Sequence, residues 1–343
     1  MTTKIKLTAV GAALGITLFT TLWHSTRAMG PVTPPTAAAT TTEAATTTAE
    51  TRAPVASAPE PVHESSPVLK ASDLVRYSNP HSLYLRSSVA LILDEREGVP
   101  LYSHNTQTPR PIASLTKLMT AMVIFDSGLP LDELIEITRD DRDTLRGSRS
   151  RLPYGSVFTR YDLLQAALGA SDNRAAAALG RTYPGGTAAM VQAMNATALR
   201  LGMTHTQYAD ASGLDKRDVS TAEDLAKLVM ATSKHPLFHV LTTNASFSVT
   251  DLWNTAEVGF VNTNRLVRGE SWDISLSKTG YTSDAGHCLV MQANIADRPV
   301  IIVLLNSWGR LSRVGDSNRI RDWLLKTERR AQRITNSVAT NES

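Results

Sequence analysis

The chain has 343 residues, of which 42% are apolar, which is enough for one large folded domain or two smaller ones. Its 35 basic and 32 acidic residues leave a formal charge of only +3, and the basic residues form no runs of the kind that follow a phosphate backbone, which argues against nucleic-acid binding. A single cysteine, Cys288, excludes an internal disulfide and any metal site built from several cysteines.

The first 28 residues have the layout of an export signal. A basic start, M-T-T-K-I-K, precedes an apolar stretch from Leu7 to Trp23, and a polar segment of small residues ends at Ala28. Cleavage after Ala28 would release a periplasmic or otherwise exported protein. The apolar run also approaches the length that spans a bilayer, so an uncleaved membrane anchor is the alternative.

Composition divides the rest of the chain into three parts. Thr, Ala, Pro and Glu dominate residues 29–72, and almost no large apolar residue is present there to be buried, which predicts a disordered linker. Residues 73–330 carry the periodic patterns of a folded, catalytic domain. The last residues, 331–343, are predicted to form a polar tail.

The folded part is predicted to begin with a hairpin and to continue with helices. S-S-V-A-L-I-L-D and P-L-Y-S-H, joined by E-R-E-G-V, have the composition of two paired strands. The nearly all-apolar segment Ser114–Asp126 lies between Pro111 and Gly128 and predicts a buried helix. Periodicity predicts further helices at Tyr161–Leu168, Asn173–Gly180, Thr187–Leu201 and Thr221–Ser233.

Strand patterns return after Ala245, in D-I-S-L-S-K-T-G, C-L-V-M-Q-A-N-I and V-I-I-V-L-L-N-S. A last helix is predicted over Asp316–Arg329. Strands at both ends of the folded part, with a helical block between them, predict an α+β fold of two lobes that enclose a cleft.

Three short motifs occur in order along the folded part: S-L-T-K at Ser114–Lys117, S-D-N at Ser171–Asn173 and K-T-G at Lys278–Gly280. Each is weak alone, since S-L-S-K at Ser275–Lys278 fits the first pattern equally well. Order and context separate the two candidates. Ser114 opens a predicted helix, whereas Ser275 lies on a predicted strand, where residues three apart point to opposite faces.

The first motif predicts a nucleophile with its base. Residues three apart on a helix share a face, so Ser114 Oγ and the Lys117 amine can meet over one turn. An ordinary lysine has a pKa of about 10.4, so Lys117 can act as a base only if burial and a nearby cation such as Lys278 lower that pKa. A helix-capping serine followed by a surface lysine is the alternative, and the apolar neighbours of Lys117 argue against it.

The other two motifs also have ordinary structural explanations. S-D-N lies between two predicted helices, where it either caps the second helix or turns side chains into the cleft. In the functional interpretation Ser171 relays a proton between Lys117 and a leaving amine, and Asn173 hydrogen-bonds a substrate amide. K-T-G ends a strand, where Gly280 either begins a turn or lets a substrate backbone lie against the strand edge.

Together the motifs resemble those of the low-molecular-mass penicillin-binding proteins, which are serine D-alanyl-D-alanine carboxypeptidases and endopeptidases. The resemblance extends to T-P-R-P-I-A-S-L-T-K-L-M-T-A, to A-S-G-L-D followed by S-T-A-E-D-L-A-K-L, and to S-K-T-G-Y-T-S-D-A-G-H-C-L-V. It implies the fold shared with serine β-lactamases, an antiparallel sheet flanked by helices plus an inserted, mostly α-helical lobe. The endopeptidase subgroup lacks the extra C-terminal β-domain and membrane-binding helix of the carboxypeptidases, and we expect the same of this chain.

The resemblance also implies a role for each motif residue. Ser114 is the expected acyl-enzyme nucleophile, Lys117 its proton acceptor and Ser171 a member of the second motif. The backbone N–H groups of Ser114 and Tyr281 are expected to form an oxyanion hole. Arg313 is expected to hold a substrate carboxylate, with Arg310 as a near alternative. The complete set of expected substrate-binding residues is Asn173, Lys278, Thr279, Gly280, Tyr281 and Arg313.

These roles predict two-step hydrolysis of D-alanyl bonds in peptidoglycan cross-links, without a metal or organic cofactor, and acylation of Ser114 by β-lactams. Carboxypeptidase trimming of stem peptides uses the same chemistry and differs in the leaving group. A serine β-lactamase is disfavoured because no E-x-x-L-N pattern lies between the second and third motifs. A catalytically idle wall-binding scaffold is the alternative from another class.

Other residue types that often carry chemistry are expected to have structural roles. The eight histidines show no H-E-x-x-H spacing, and the chain has no G-x-S-x-G turn. His287 and Cys288 are expected to be packing or surface residues. Trp272 and Trp308 could line a glycan groove, but we expect them in the core.

Overall fold

The computed structural model describes the backbone of residues 69–341 and the side chains of residues 69–337. The predicted signal or anchor and nearly all of the predicted linker lie outside this range. Within it, no helix is both long enough and apolar enough to cross a membrane.

The predicted helices and strands occur in the predicted order within residues 69–341, and the helices at Ala71–Tyr77 and Pro236–Thr243 are additional to them. The strands are β1 (Ser87–Asp94), β2 (Pro100–His104), β3 (Arg110–Pro111), β4 (Leu134–Glu136), β5 (Val157–Thr159), β6 (Val219–Ser220), β7 (Ser246–Thr250), β8 (Glu257–Val261), β9 (Asp273–Thr282), β10 (Gly286–Ile295) and β11 (Arg298–Ser307). The α-helices are α1 (Ala71–Tyr77), α2 (Thr116–Asp126), α3 (Arg160–Gly169), α4 (Asn173–Arg181), α5 (Gly186–Arg200), α6 (Ala222–Thr232), α7 (Pro236–Thr243) and α8 (Ser312–Asn341).

Within the described residues, the main sheet has five antiparallel strands in the order β2, β1, β11, β10 and β9. The central strands are apolar almost throughout because both faces of the sheet are covered by helices. Rows of side chains that share a register alternate between the two faces, as strand geometry requires. Leu91, Val303 and Val290 form one row, and Ile92, Ile302 and Met291 form the next.

The two faces of the sheet belong to different cores. Helices α1 and α8 cover one face, where Ile320 and Trp323 of α8 pack on the sheet. Helix α6 covers the other face and continues into the larger core, which also contains α2 to α5. The chain between β2 and β9 forms the inserted helical lobe, with the short strand pairs β3–β6, β4–β5 and β7–β8 at its borders. The predicted α+β fold is confirmed.

Helix α8 is longer than predicted. It begins at Ser312 and continues to Asn341, whereas the sequence pattern predicted an end at Arg329 and a polar tail beyond it. No proline or glycine interrupts the chain after Gly315, so nothing in the sequence stops the helix. Ala331 is fully buried in the core that α1 and α8 form with the sheet, which anchors the extension through packing that polarity alone did not reveal.

Candidate active site

Ser114 lies on a tight turn that is pressed against the edge of the main sheet. A 3-10 turn at Ala113–Leu115 follows β3 and leads into α2. Ala113 has a φ of +50°, a left-handed conformation that costs a residue with a Cβ roughly 1–2 kcal/mol. Two glycines make room for the turn, because a Cβ on Gly213 would lie 2.0 Å from Ala113 O and one on Gly280 would lie 3.2 Å from Ser114 N.

Lys117 lies in the first turn of α2, and only 1% of its surface is exposed. Its Nζ donates to Ser114 Oγ at 2.9 Å, to Asn173 Oδ1 at 2.6 Å and to the Ser212 carbonyl at 2.6 Å. Burial lowers the pKa of Lys117 to about 8, although nearby carboxylates, Asp210 foremost, favour the charged form. A neutral Lys117 amine is therefore accessible near neutral pH, beside the Ser114 hydroxyl.

Lys278 on β9 is a second buried lysine in the site. Its Nζ donates to Ser171 Oγ at 2.8 Å and to the Thr279 carbonyl at 3.1 Å. The pKa of Lys278 lies well below its ordinary value because burial removes water and the charge of Lys117 repels a second cation. We expected Lys278 to lower the pKa of Lys117. Burial has that effect on Lys117, and the repulsion between the two lysines acts on Lys278.

The S-D-N segment is a helix cap and a wall of the cleft at once. Asp172 caps α4 by accepting the Ala175 N–H at 3.0 Å, so its neighbours project from the helix start. Ser171 has a φ of +60°, again a left-handed conformation. Asn173 Nδ2 donates to Ser148 Oγ at 2.8 Å, which leaves its second amide hydrogen for a substrate.

The hydrogen bonds of the second motif differ in one respect from the expectation. Among the bonds of residues 69–341, Lys117 pairs with Asn173, and Ser171 pairs with Lys278. The expected relay between Ser171 and Lys117 thus has no direct hydrogen bond among these residues.

The K-T-G segment lies on β9, the edge strand of the sheet, so one side of its backbone faces the cleft. Thr279 Oγ1 donates to Thr263 Oγ1 at 2.7 Å. Arg313 reaches this strand from α8, and its Nη1 donates to the Gly280 carbonyl at 3.1 Å. Tyr281 is 61% exposed and stacks on His287, with 4.3 Å between ring centroids.

The sequence-predicted residues meet in one cleft of about 500 Å³ between the sheet edge and the helical lobe. The two lysines lie behind its wall, and each donates to a serine at the surface. The lining includes Ser114, Ser171, Asn173, Thr279, Gly280, Tyr281 and Arg313.

Comparisons with known proteins identify the family of this chain. A family profile described as D-alanyl-D-alanine carboxypeptidase matches residues 76–309. The chain belongs to this family. The matched range contains all three motifs of this chain and ends shortly before Arg313.

Curated relatives and solved structures agree with the family assignment. A D-alanyl-D-alanine endopeptidase of Pseudomonas aeruginosa is 45% identical over 240 residues, and one of Escherichia coli is 42% identical over 240 residues; each match covers 70% of this chain and 77% of the relative. A Streptomyces DD-transpeptidase structure is 25% identical with a TM-score of 0.66, covering 71% of this chain and 98% of that one. A cefotaxime-bound penicillin-binding protein of Listeria monocytogenes is 31% identical with a TM-score of 0.63, over the same shares.

Sequence reasoning missed the loop that supports Lys117 in this D-alanyl-D-alanine carboxypeptidase family member. The carboxylate of Asp210 accepts the backbone N–H groups of Ser212, Gly213, Leu214 and Asp215. These bonds hold the Ser212 carbonyl in position for the lysine. The segment A-S-G-L-D was part of the resemblance. The group that binds Lys117 there is the backbone carbonyl of Ser212, and every residue type has such a carbonyl, so the sequence could not identify it.

Asp218 was missed as well. It is fully buried, and its Oδ2 accepts the Thr116 hydroxyl at 2.8 Å while its Oδ1 accepts the Ala209 N–H at 2.6 Å. Burial, with repulsion from Asp210, raises the pKa of Asp218 to about 8. Its backbone carbonyl accepts the Ile112 N–H at 3.0 Å. This carboxyl therefore ties the Ser114 turn to the supporting loop.

The tryptophans near the motifs do not both pack as expected. Trp308 is 88% exposed, because the chain leaves the sheet at the end of β11 and turns at Gly309, where φ is +89°. Trp272 is half-buried, and its Nε1 donates to Asn318 Oδ1 at 3.1 Å. Cys288 is fully buried, and burial raises the pKa of its thiol to about 11, as befits a packing residue.

Proposed function

We propose that this protein is a serine D-alanyl-D-alanine endopeptidase that cleaves peptide cross-links in bacterial peptidoglycan. The observation that carries the chemistry is the buried Lys117 amine, 2.9 Å from Ser114 Oγ, with a pKa of about 8. The choice of endopeptidase follows the relatives. Those named endopeptidase reach 42% and 45% identity, whereas those named carboxypeptidase include matches at 28% and 30%.

The first chemical step is acylation. The neutral Lys117 amine takes the proton of the Ser114 hydroxyl, and Oγ forms a bond to the D-alanyl carbonyl carbon while the carbonyl electrons move to its oxygen. When the C=O bond re-forms, the C–N bond breaks and the amine leaves. We assign Ser171, which lines the cleft and whose Oγ accepts a hydrogen bond from Lys278, to return the proton from Lys117 to the leaving nitrogen.

Hydrolysis of the ester completes the cycle. Water forms a bond to the acyl carbon as Lys117 again accepts a proton, and the break of the ester C–O bond releases the acid. Ser114 recovers its proton from Lys117. The chain's own residues supply every proton transfer in both steps.

The remaining site residues position the substrate in this proposal. The backbone N–H groups of Ser114 and Tyr281 stabilise the oxyanion, a contribution that is worth roughly 3–4 kcal/mol per donor in acyl transfer. Support comes from Gly280, which brings the strand next to Ser114 N. Asn173 donates to a substrate amide, the edge of β9 pairs with substrate backbone, and Arg313 holds a carboxylate.

β-Lactams are expected to acylate the same serine, since their strained amide presents the same carbonyl to Ser114. The test is intact-mass spectrometry of the protein with a penicillin, beside Ser114→Ala, followed by digestion of purified muropeptides. We expect a one-drug mass increase that the variant lacks, and conversion of cross-linked dimers to monomers. Release of D-alanine from uncross-linked pentapeptides, with dimers intact, would make it a carboxypeptidase. No adduct and no digestion by a folded sample would favour the idle scaffold.

We also propose that residues 1–28 direct export, with residues 29–72 as a linker that tethers the enzyme to the membrane if the segment is retained. The support is the basic start followed by an apolar run, together with a substrate that lies outside the cytoplasm. Mass spectrometry of the N-terminus of the protein from its natural host tests this proposal. A start after Ala28 indicates a released enzyme, a retained apolar run indicates an anchor, and recovery from the cytoplasm would contradict export.

A further inference from the structure

The active-site cleft is strongly basic on the side of the sheet edge. Four arginines line it, and no aspartate or glutamate within residues 69–341 does. Burial is the main cause of the lowered pKa of Arg313, and the nearby charge of Arg310 lowers it further, as expected for two adjacent cations. Such a cluster is electrostatically unfavourable in the free protein and becomes favourable when an anion enters. The four are Arg265, Arg268, Arg310 and Arg313.

Three of these arginines have side chains that the fold does not use. Across residues 69–341, Arg265, Arg268 and Arg310 form no side-chain hydrogen bond, ion pair or cation–π contact. Arginines with a structural role look different: Arg160 pairs with Glu133, and Arg181 pairs with Asp141.

The backbone beneath Arg265 and Arg268 is held firmly. The buried amide of Asn262 donates to the Thr242 carbonyl at 2.9 Å, and the buried amide of Asn264 donates to Ser277 Oγ at 2.8 Å. These bonds fix the segment between β8 and β9 from behind, while its two arginines stay exposed.

The same segment is also joined directly to the K-T-G strand. Thr263 accepts the hydrogen bond of Thr279 Oγ1 at 2.7 Å. Arg310 approaches from a different loop, between β11 and α8, and lines the same cleft. The two loops therefore present guanidinium groups to a ligand that lies along the edge of β9.

We propose that Arg265, Arg268 and Arg310 bind free carboxylates on the leaving stem peptide, in addition to the carboxylate assigned to Arg313. The inference rests on the proposed endopeptidase function. A carboxypeptidase expels a single D-alanine with one carboxylate, for which one arginine is sufficient. Cleavage of a cross-link expels an amine that belongs to a whole second peptide with further carboxylates, and planar guanidinium groups suit that ligand.

The test uses two synthetic cross-linked peptides that differ only in the leaving stem. Its carboxylates other than the one assigned to Arg313 are free in one peptide and converted to primary amides in the other. We expect the wild-type protein to prefer the free acid by about tenfold or more in kcat/KM. Arg310→Gln and the double variant Arg265→Gln/Arg268→Gln should each reduce that preference, through a higher KM for the free-acid peptide. Arg330→Gln, an exposed arginine on α8 outside the cleft, should behave as wild type.

Two further measurements separate this inference from the proposed function. At saturating penicillin, the limiting rate of acylation should stay within about twofold of wild type in all three arginine variants, because they leave Ser114 and Lys117 untouched. Saturation is required because penicillin itself carries a carboxylate that the arginines attract. Equal cleavage of both peptides by the wild type would overturn the role of the arginines and leave the peptidase intact. If neither peptide is cleaved and no penicillin adduct forms, the peptidase proposal fails. Calorimetry would then test carboxylate recognition separately, and we expect tighter binding of the free-acid peptide than of the amidated one. Equal binding would overturn it.

Discussion

Lys117 experiences opposing electrostatic effects that together set its chemistry. Burial favours the neutral amine, while the carboxylates of Asp210 and Asp172 favour the ammonium form. Hydrogen bonds to Ser114 and Asn173 hold the nitrogen in place. With burial as the larger effect, the pKa falls to about 8, which suits a base that must be partly neutral near physiological pH.

The rate of acylation by penicillin is expected to rise with pH and to level off above about pH 8, the pKa of Lys117. The base is active when neutral, so its active fraction falls about tenfold for each pH unit below that pKa. Stopped-flow or quenched mass measurements between about pH 6 and pH 10 would record the profile. Circular dichroism at each pH controls for unfolding, and a rate that is flat across this range would contradict Lys117 as the base.

Replacing Asp210 by Asn is expected to shift the midpoint of that profile to lower pH. The Asp210 carboxylate stabilises the charged form of Lys117, so removing its charge lowers the lysine pKa further. The rate plateau should also fall because Asn keeps only one acceptor oxygen for the supporting loop.

A purely structural role for Asp210 would lower the plateau and leave the midpoint unchanged, so the midpoint decides between the two. Asp322→Asn, which removes a charge from an exposed position on α8, serves as the matched control and should leave both quantities as they are.

At the scale of elements, the site depends on the close contact between the Ser114 turn, strand β9 and the loop before β6. Gly213 and Gly280 both pack against the turn. A Cβ on Gly213 would collide with the Ala113 carbonyl, and one on Gly280 would be crowded by Ile112, Ala113 and Ser114. Gly280 thus has a structural reason to be small besides the substrate contact that its strand position suggested. The left-handed Ala113 persists because both neighbours enclose it.

Gly213→Ala is expected to destabilise the fold by about 3 kcal/mol or more and to abolish rapid acylation. The new Cβ would lie 2.0 Å from the Ala113 carbonyl oxygen, and the residue would keep a φ of +83°. Gly155→Ala is the control, since Gly155 has a φ of +82° but no atom within 4 Å of the added Cβ.

The control should cost only about 1 kcal/mol, the price of a left-handed alanine, with acylation unchanged. Urea unfolding and penicillin acylation measure the two effects. Equal losses in both variants would mean that the contact with the Ser114 turn is unimportant.

In the whole molecule, a buried ionic network joins distant parts of the chain on the side of the sheet away from α6. Arg298, at the start of β11, pairs with the fully buried Asp94 of β1 and with Glu328 of α8, and it also donates to the Leu69 carbonyl before α1. Asp316 plays a similar part by accepting the backbone N–H of Ser87 at 2.9 Å. The sheet and its C-terminal helix are therefore tied together by charge as well as by apolar packing.

Arg298→Met is expected to lower the free energy of unfolding by about 3–5 kcal/mol, because Asp94 would remain buried without its partner. Penicillin acylation below the melting transition should be unaffected, since the network does not line the cleft. Arg200→Met breaks an exposed pair with Asp126 and should change stability little. A small loss from Arg298→Met would indicate that Asp94 reaches water.

Much of this protein could be predicted from sequence because its signals are local. Alternation and apolar runs identified the strands of the main sheet, and the apolar segment after Ser114 identified α2. The end of α8 was harder to predict. Beyond Arg329 the helix is polar except for the buried Ala331, and a polar helix has the same composition as a polar tail. Trp308 was misplaced for a related reason, because a strand pattern does not say where the chain leaves the sheet.

The sequence by itself determined the order and identity of the reacting groups, with Ser114 and Lys117 brought together by helix geometry over a single turn. Only the tertiary structure decided which distant groups control them. Packing of the folded chain places several groups next to the motifs: the Ser212 carbonyl, the carboxyl groups of Asp210 and Asp218, and the arginines of two separate loops. Electrostatic effects and backbone hydrogen bonds act through space, so their partners are set by the folded chain and leave no local pattern along it.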